Sequence, residues 1–292
     1  MKILVFGQKG QLARALAAAG AGPCLGRDQA DLSVPGAAAE AVRAHAPEVV
    51  INAAAYTTVD QAEEDRAAAF RINGEAVGEI AGAAAGTGAA LIHISTDYVY
   101  DGTKQGPYRE DDPVAPINVY GASKLAGERA ALAANPRTVI LRTAWVYAPW
   151  GRNFVTTMLR LGAERERISV VDDQIGSPTS AIDLADACLA IAPRLAGAEA
   201  SEDLWGIHHF AGTGAPASWA AFAAEIFRIA DCIGRATPAI DAIPGADYPA
   251  AARRPVNSAL DCAKFIRTFG LSPPAWRQSL RRDVLALCAG AD

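Results

Sequence analysis

The chain opens with an apolar run and a glycine-rich turn, KILVFGQKGQLA (residues 2–13). Residues 2–6 are almost continuously apolar, which is typical of a strand buried on both faces of a parallel sheet. Gly7 and Gly10 permit a tight turn that brings a pyrophosphate close to the amino terminus of the next helix, and the small Ala13 lets that helix lie close to the strand. A tight strand-to-helix turn alone would also explain the glycines, but their place directly after a first strand favours dinucleotide binding.

The second predicted strand ends near Gly26 and bears on the choice of cofactor. In chains that prefer NAD, this strand usually ends in a carboxylate that binds the ribose 2′-hydroxyl. Here Arg27 follows the glycine, and a guanidinium can bind a 2′-phosphate through two hydrogen bonds. The sequence therefore favours NADPH, while the adjacent Asp28 and a solvated Arg27 would leave NADH possible. Asp31 and Leu32 are expected near the adenine.

The next part of the chain alternates strands with helices. Strands are predicted at residues 48–52, 89–94 and 137–142, and the helical pattern over residues 58–86 is broken around residues 73–74. Connections long enough to cross over between strands predict an α/β fold with a doubly wound parallel sheet, the Rossmann architecture. The small residues 53–57 would let a dinucleotide lie across the strand ends, although close packing of the loop would also explain them.

Three polar residues follow the strand predicted at residues 89–94. Thr96 lies near its carboxyl end, where open parallel sheets place their ligands, and Tyr120 and Lys124 share one face of a predicted helix. Reduction of a carbonyl leaves an alkoxide that needs a proton from a fixed donor. A nearby ammonium would lower the tyrosine pKa by roughly 1–3 units, and the threonine hydroxyl could hold the carbonyl oxygen. A packed tyrosine beside a snorkelling lysine explains Tyr-x-x-x-Lys as well, so the motif alone leaves both interpretations open.

The simple alternation ends after Trp145, and the second part of the chain reads as a smaller α/β lobe that closes over the sheet. A cleft between two lobes is where a small ligand usually binds. We therefore predict a dinucleotide-binding domain of residues 1–147 plus about 173–195, and a substrate lobe of residues 148–172 plus about 196–292. Within these ranges, helical patterns cover about 180–192, 219–233, 258–269 and 275–288, and residues 207–210 form a predicted strand.

Composition excludes several classes of function. With 292 residues, of which 51% are hydrophobic and 20% charged, the chain has material for one or two globular domains. Its 27 basic and 32 acidic residues leave a net charge of -5 without a basic stripe, so we expect no nucleic-acid partner. We also expect no membrane span and no signal peptide, because no apolar run is long enough and the first strand starts at once. Five scattered cysteines indicate reduced thiols and a cytoplasmic protein.

The whole chain resembles the extended short-chain dehydrogenases/reductases, and among them those that reduce nucleotide sugars. Seven stretches carry the resemblance in the order of that family: GQKGQL (7–12), NAAAYT (52–57), STDYVYDG (95–102), VYGASKLAGE (119–128), RTAWVY (142–147), DQIGSPT (173–179) and RPVNS (254–258). Seven matches in order are far more specific than any one of them. The resemblance implies that NADPH or NADH reduces the 4-keto group of a dTDP-6-deoxyhexose to give dTDP-L-rhamnose.

The resemblance also implies roles for individual residues. Tyr120 would donate the proton, Thr96 would hold the substrate oxygen, and Lys124 would bind the nicotinamide ribose and tune Tyr120. Other implied cofactor contacts are Gly7, Gly10, Gln11, Leu12, Arg27, Asp31, Leu32, Ala54, Ala55, Tyr56 and Thr57. The implied substrate contacts are Thr96, Asp97, Trp145, Gln174 and Arg254.

Three alternative functions would need residues or a cofactor state different from those of a reductase. Dehydratases of the same family carry an Asp-Glu pair after the threonine, whereas this chain has Asp97-Tyr98, which disfavours dehydration. An epimerase of the same fold would need a tightly held NAD. A non-catalytic regulatory subunit, such as the relatives that regulate methionine adenosyltransferase, would not need the threonine, tyrosine and lysine that this chain retains.

No metal site is expected from the sequence. Some reductases of this type use a glutamate of the first helix in a metal site between subunits, but the matching residue here is Ala15. A homodimer stays open, while a metal-linked one is put in doubt. His93 is more simply explained as a buried core histidine, and His208 and His209 point to opposite faces of a strand and so cannot chelate one ion.

Overall fold

The computed structural model describes residues 1–197 and 201–289. The side chains of the first strand alternate between the two faces of a central sheet, and both faces are buried. Ile3 and Val5 pack into one hydrophobic cluster, and Leu4 and Phe6 pack into another on the opposite face. None of these four side chains is more than 7% exposed. The sheet is therefore the middle layer of three, with helices on both sides.

The bounds of the regular elements follow in chain order. The strands are β1 (Ile3–Phe6), β2 (Cys24–Leu25), β3 (Val49–Asn52), β4 (Ala90–Thr96), β5 (Thr138–Thr143), β6 (Val146–Tyr147), β7 (Arg167–Val171), β8 (Ile175–Gly176), β9 (Thr179–Ser180), β10 (Gly206–His209), β11 (Ala217–Ser218) and β12 (Ala239–Ile243). The α-helices are α1 (Gln11–Ala18), α2 (Ala37–His45), α3 (Val59–Glu64), α4 (Arg66–Phe70), α5 (Ala76–Thr87), α6 (Val119–Ala134), α7 (Phe154–Glu164), α8 (Ala181–Ala196), α9 (Trp219–Asp231), α10 (Ala263–Phe269) and α11 (Trp276–Ala289).

Six strands form the central sheet in the order β10-β5-β4-β3-β1-β2, and all of them run parallel. Helices α1 and α8 contribute to the apolar cluster on one face, and α2 and α5 contribute to the cluster on the other. The predicted α/β fold with a doubly wound parallel sheet is confirmed.

The sixth strand lies outside the predicted division of the chain. Residues 206–209 pair in parallel with β5, from Gly206 opposite Val139 to His209 opposite Arg142, although the sequence grouped them with the substrate lobe. The strand is only four residues long and ends in two histidines. The sequence therefore lacks the apolar run that would mark it as a strand of the buried sheet. For the remaining residues the division into two domains stays a prediction, and residues 198–200 and 290–292 of the proposed lobe lie outside the described residues.

The second part of the chain has its own apolar cluster, built mainly by α7, α9, α11 and β7. Helix α7 and the parallel pair of β7 with β12 were not predicted. The helix does carry a sequence signal, because Asn153 accepts from the Thr156 N–H and the Thr156 hydroxyl accepts from the Asn153 N–H, a capping box. The helix predicted over 258–269 begins only at Ala263, since Leu260 before it is in a β-bridge with Tyr108.

Candidate active site

A groove of about 970 Å³ runs along the carboxyl ends of β1, β2 and β3. Strands β2 and β3 lie on opposite sides of β1, so the strand order reverses here, which is where open α/β sheets bind their ligands. Eight of the residues predicted to contact the cofactor line this groove: Gly7, Arg27, Asp31, Leu32, Ala54, Ala55, Tyr56 and Thr57.

The turn after β1 is tight because of Gly7. Its backbone φ is 116°, a conformation that other residues rarely adopt. A Cβ atom at this position would lie 3.2 Å from the Cβ of Ala13 and 3.4 Å from the carbonyl carbon of Ala53. Gly10 then caps α1 without a side chain, so the backbone N–H groups of the first helical turn can face an anion in the groove.

Gln11 and Leu12 turn their side chains away from the groove lining. Leu12 is 6% exposed and belongs to the hydrophobic core. The side-chain amide of Gln11 donates to the carbonyl oxygen of Val146 at 3.2 Å, and the backbone carbonyl oxygen of Gln11 accepts from the Trp150 indole at 3.2 Å. Contact of these two residues with a pyrophosphate would therefore be made by their backbone amides.

Arg27 lies at the outer end of the groove with 76% of its side chain exposed. Its Nε donates to Asp31 Oδ2 at 3.0 Å, and its Nη2 approaches the Ser33 hydroxyl at 3.5 Å. Hydrogen bonds from Ser33, together with the guanidinium, hold the pKa of Asp31 below its usual range. The arrangement leaves most of the guanidinium accessible beside a hydroxyl, which fits a phosphate monoester such as a ribose 2′-phosphate.

Thr96 and Asp97 form the start of a short 3₁₀ turn directly after β4. The Thr96 hydroxyl donates to Asp97 Oδ1 at 3.0 Å and accepts from the Tyr98 N–H at 3.2 Å. Burial raises the pKa of Asp97 to about 6, although the nearby hydroxyl groups of Ser258 and Thr96 oppose this rise. The other carboxylate oxygen of Asp97 is buried and has no hydrogen-bond partner among the described residues, so it can accept from a ligand.

Helix α6 lies close to this turn, and the residue of the helix at the contact is a glycine. A Cβ atom on Gly121 would lie 2.1 Å from the carbonyl oxygen of Tyr98, far inside van der Waals contact. The helix starts there because Asn118 accepts from the Gly121 N–H at 2.7 Å. The close contact places the Tyr120 ring 5.8 Å from the Tyr98 ring in an edge-to-face arrangement. Tyr120 also packs in the apolar cluster that includes Tyr56 of the groove.

The pKa of Tyr120 differs from the sequence-based expectation. Burial raises it to about 12, a hydrogen bond with Thr96 opposes the rise, and the charge of Asp97 adds to it. The predicted lowering by Lys124 was wrong. The physical reason is burial, which is the largest influence on this phenol. The Lys124 amine is bound to β4, where it donates to the Ile94 carbonyl oxygen at 2.6 Å.

Lys124 is 2% exposed, and burial lowers its pKa to about 8. Besides the Ile94 carbonyl, its Nζ has a second neighbour, Nε2 of His93, at 3.2 Å. His93 is fully buried, as the sequence suggested for a core histidine, but it lies directly against the lysine of the proposed site. This contact was not predictable from the sequence.

Trp145 packs against the apolar cluster of the second part of the chain. Its backbone is strained, with a φ of 49°. Its ring stacks on that of Trp219 with 3.4 Å between centroids and 3° between planes. Gly176 packs against the other side, since a Cβ atom there would lie 2.3 Å from the indole. The predicted substrate residue is therefore held by two distant parts of the chain.

Arg254 and Gln174 do not enter the groove lining. Arg254 forms a bidentate ion pair with Asp60 of α3, with Nη1–Oδ1 at 2.5 Å and Nη2–Oδ2 at 2.7 Å. This pair lowers the pKa of Asp60 to about 2 and connects the segment around residue 254 to α3. Gln174 lies beside Gly245, where a Cβ atom would be 2.8 Å from the Gln174 amide nitrogen.

Comparison with known proteins agrees with this geometry. A family model described as the RmlD substrate binding domain matches residues 1–287. A dTDP-4-dehydrorhamnose reductase from Sinorhizobium fredii is 47% identical over 292 residues, which cover 98% of each chain. The chain belongs to the dTDP-4-dehydrorhamnose reductase family.

Solved structures of that family have the same fold over the whole chain. The reductase from Clostridium acetobutylicum matches with a TM-score of 0.90 at 35% identity, covering 99% of this chain and all of the other. The reductase from Bacillus anthracis, solved in complex with NADP, matches with a TM-score of 0.89 at 36% identity, covering 98% of this chain and all of the other. The resemblance to extended short-chain dehydrogenases/reductases is confirmed.

One residue at the centre of the site was missed from the sequence. Asn73, in a π-helical turn between α4 and α5, is 1% exposed. Its side chain accepts from the Tyr56 N–H at 2.8 Å and donates to the Tyr56 carbonyl and the Ser123 hydroxyl, both at 3.0 Å. It therefore connects the groove loop to α6. The Asn-Gly break in the helical pattern was the available signal, because π-turns often mark functional sites.

Within residues 1–197 and 201–289, no helix has the length and hydropathy needed to cross a membrane. The same residues contain no group of three or more histidine, cysteine, aspartate or glutamate side chains arranged to hold a metal ion.

Proposed function

We propose that this protein uses NADPH to reduce the 4-keto group of dTDP-4-dehydro-L-rhamnose, giving dTDP-L-rhamnose. The observation that carries the proposal is the meeting of Thr96, Asp97 and Tyr120 at the end of β4, next to the groove at the strand ends. Close relatives over the full length are named as reductases of this substrate, and one of the structures matched contains NADP.

The residues of the groove fit a dinucleotide. The close approach at Gly7, which leaves no space for a side chain, and the uncapped start of α1 suit a pyrophosphate. Arg27 and Ser33 suit a 2′-phosphate, which favours NADPH over NADH. When bound, the nicotinamide supplies the hydride. Ala54, Ala55, Tyr56 and Thr57 would lie beside the cofactor, and Lys124 would bind its ribose.

Tyr120 is the proposed proton donor. A sugar alkoxide is a stronger base than a phenolate, so a phenol with a pKa of about 12 stays protonated at neutral pH and can still give its proton to the alkoxide. Thr96 would orient the substrate oxygen beside this phenol, and the unpartnered oxygen of Asp97 would accept from the sugar. Trp145, Gln174 and Arg254 are proposed contacts to the nucleotide sugar from the second lobe.

The proposed setting of the enzyme is the cytoplasm, which the five unpaired, scattered cysteines support. A nucleic-acid partner is not proposed, because the net charge is -5. A homodimer is compatible with these features, but not one bridged by a metal at the first helix. Ala15 stands at that position and is 5% exposed, packed in the core.

The decisive experiment follows NADPH oxidation by absorbance with dTDP-4-dehydro-L-rhamnose as substrate, and identifies the sugar product. We expect turnover with one NADPH consumed per sugar reduced. Absence of turnover, or a protein purified with tightly bound NAD that interconverts sugar epimers without net oxidation, would contradict the reductase. Glu128, which is paired with a buried arginine, is not available as a second base of a dehydratase.

A further inference from the structure

A chain of three buried polar side chains connects β3, β4 and α6 below the proposed active site. Asn52, His93 and Lys124 are each no more than 2% exposed. Asn52 Nδ2 lies 3.1 Å from His93 Nδ1, and His93 Nε2 lies 3.2 Å from Lys124 Nζ. The reduction mechanism described above uses only the last member of this chain.

The hydrogen-bond pattern fixes the tautomer of His93. The backbone N–H of Ala54 points to Asn52 Oδ1 at 3.2 Å, and since this N–H can only donate, the side-chain oxygen of Asn52 must face it. The amide nitrogen of Asn52 therefore faces His93 and donates to Nδ1. A histidine that accepts at Nδ1 carries its proton on Nε2, and this N–H is directed at Lys124.

The Nε2–H of His93 therefore faces Lys124 as a hydrogen-bond donor, whereas an ammonium group at Lys124 would need an acceptor there. An ammonium group has three N–H donors and no lone pair, so it gains nothing from the Nε2–H of His93. An uncharged amine can accept this hydrogen bond while it donates one of its own to the Ile94 carbonyl oxygen at 2.6 Å. Both contacts are satisfied together only when Lys124 is uncharged.

The charged groups around Lys124 leave this preference in place. Glu128 lies one turn further along α6 and favours the ammonium, but its two oxygens are bound by Arg142 of β5 at 2.8 and 2.6 Å and by the Ser95 hydroxyl of β4. Tyr120 lies one turn before and is protonated at neutral pH. Burial alone holds the pKa of His93 well below its ordinary value, and a charged Lys124 would lower it further, so His93 stays neutral in either state of the lysine.

We propose that His93, oriented by Asn52, is a positioning residue that sets the protonation state of Lys124 by presenting an N–H donor to its amine. The inference rests on the role proposed for Lys124 in the reduction. It gives His93 a function beyond packing: the residue determines the pH above which the lysine loses its charge and can no longer bind the nicotinamide ribose as an ammonium.

The primary test is an NMR titration of the free protein labelled with ¹³C at the lysine Cε. The chain has five lysines, at positions 2, 9, 104, 124 and 264, so the spectrum is simple, and the Lys124 signal is assigned by its absence in Lys124→Met or Lys124→Arg. We expect this signal to titrate near pH 8 in the unmodified protein. In His93→Gln, whose carbonyl oxygen can accept from an ammonium, the midpoint should rise by about one pH unit.

Asn52→Asp provides a second variant that hardly changes size. A carboxylate at this position still accepts from the Ala54 N–H, but it also accepts from His93 Nδ1, so the ring presents a lone pair at Nε2 and the Lys124 midpoint should rise again. The matched control is His208→Gln. His208 is also a buried histidine, in the edge strand β10 of the same sheet, but it packs against Phe265 and Phe269 and should leave the Lys124 midpoint unchanged.

Equal Lys124 midpoints in the unmodified protein and in the two variants would overturn the proposal. The ¹⁵N spectrum of the imidazoles tests it without any change to the site: four histidines are present, and a proton on Nδ1 of His93 would overturn it even if neither variant folded. In the reduction assay, loss of kcat/KM at alkaline pH should begin about one unit higher in His93→Gln than in the unmodified enzyme. The titrations use no substrate, so a failure of this proposal can be distinguished from a failure of the proposed reductase activity.

Discussion

The groove at the strand ends and the proposed substrate-binding part of the second lobe, which is itself a prediction, are built in different ways. The groove residues Gly7, Arg27 and Tyr56 lie within four residues after the ends of β1, β2 and β3, so the sheet positions them through the backbone. On the other side, Trp145 is held by stacking on Trp219, and Arg254 is held by an ion pair with Asp60, 194 positions away in sequence. Substitutions in the groove should therefore act singly, and substitutions in the second lobe should act through pairs.

The largest effect is expected where the two regions meet, at Tyr120. Tyr120→Phe removes the only proposed proton donor and should reduce turnover by roughly 10²–10⁴-fold. The free energy of unfolding should change little, because the ring keeps its packing. Steady-state NADPH oxidation and urea denaturation measure the two quantities.

Tyr147→Phe is the matched control for this change. Tyr147 is fully buried in the second lobe, and its hydroxyl reaches only the Trp276 carbonyl at 3.5 Å. We expect nearly normal turnover in this variant. Normal turnover in Tyr120→Phe as well would remove the phenol from the mechanism.

A substitution at Gly121 tests whether the backbone positions the site. Gly121→Ala would place a methyl group 2.1 Å from the Tyr98 carbonyl oxygen, so α6 must move away from the Thr96 turn. We expect a loss of about 1–3 kcal/mol in unfolding free energy and a marked fall in kcat. Gly82→Ala on α5 meets nothing within 4 Å and should instead stabilise the protein by up to about 1 kcal/mol. Similar stability and turnover in the two variants would show that the close contact is unimportant.

The groove could be located from the sequence because strand ends are marked by local patterns. A buried strand, a glycine turn and a helix start lie within residues 2–13, and each later strand ends in small or polar residues. The contacts of Lys124 were not predictable, since His93 reads as one polar residue in an apolar strand and only the register of β4 against α6 brings it near. The pKa of Tyr120 was predicted in the wrong direction, because burial cannot be read from a helical spacing.

The second lobe was less predictable for the same reason. Strand β10 and the pair of β7 with β12 depend on partners far away in the sequence. Arg254 was identified by a motif, but its partner Asp60 was not, because no local pattern connects an early helix with a late loop. A residue can be recognised as important while its physical role depends on a contact the sequence does not show.

A smaller effect is expected at the ion pair of Arg254 with Asp60. Substitutions there distinguish two roles of the arginine, stabilising the fold through Asp60 and contacting the nucleotide sugar. The pair is partly exposed, so we expect Arg254→Lys and Asp60→Asn each to cost about 0.2–1 kcal/mol in unfolding free energy, and the double variant to cost little more than either one. Asp60 has its pKa lowered to about 2, so its contribution is present above about pH 4 and is lost as the pH falls toward 2.

Urea denaturation at pH 7 and at pH 2.5 measures this cycle. The stability difference between the unmodified protein and Asp60→Asn should shrink at the lower pH. Additive losses would contradict a shared role. A rise in KM for the nucleotide sugar in Arg254→Lys without any rise in Asp60→Asn would show that the arginine contacts the substrate by itself.

The smallest effect is expected at the outer end of the groove. Arg27→Ala removes the exposed guanidinium proposed to bind a 2′-phosphate, and because 76% of this side chain is in water we expect only about a 5–10-fold rise in KM for NADPH. KM for NADH, which lacks the phosphate, should stay within about 2-fold. The matched control is Arg160→Ala, since Arg160 is also exposed and paired four residues along the chain, with Glu164 on α7. If KM rises equally for both cofactors in Arg27→Ala, the arginine supports the groove through Asp31 rather than through the phosphate, and the preference for NADPH must come from another residue.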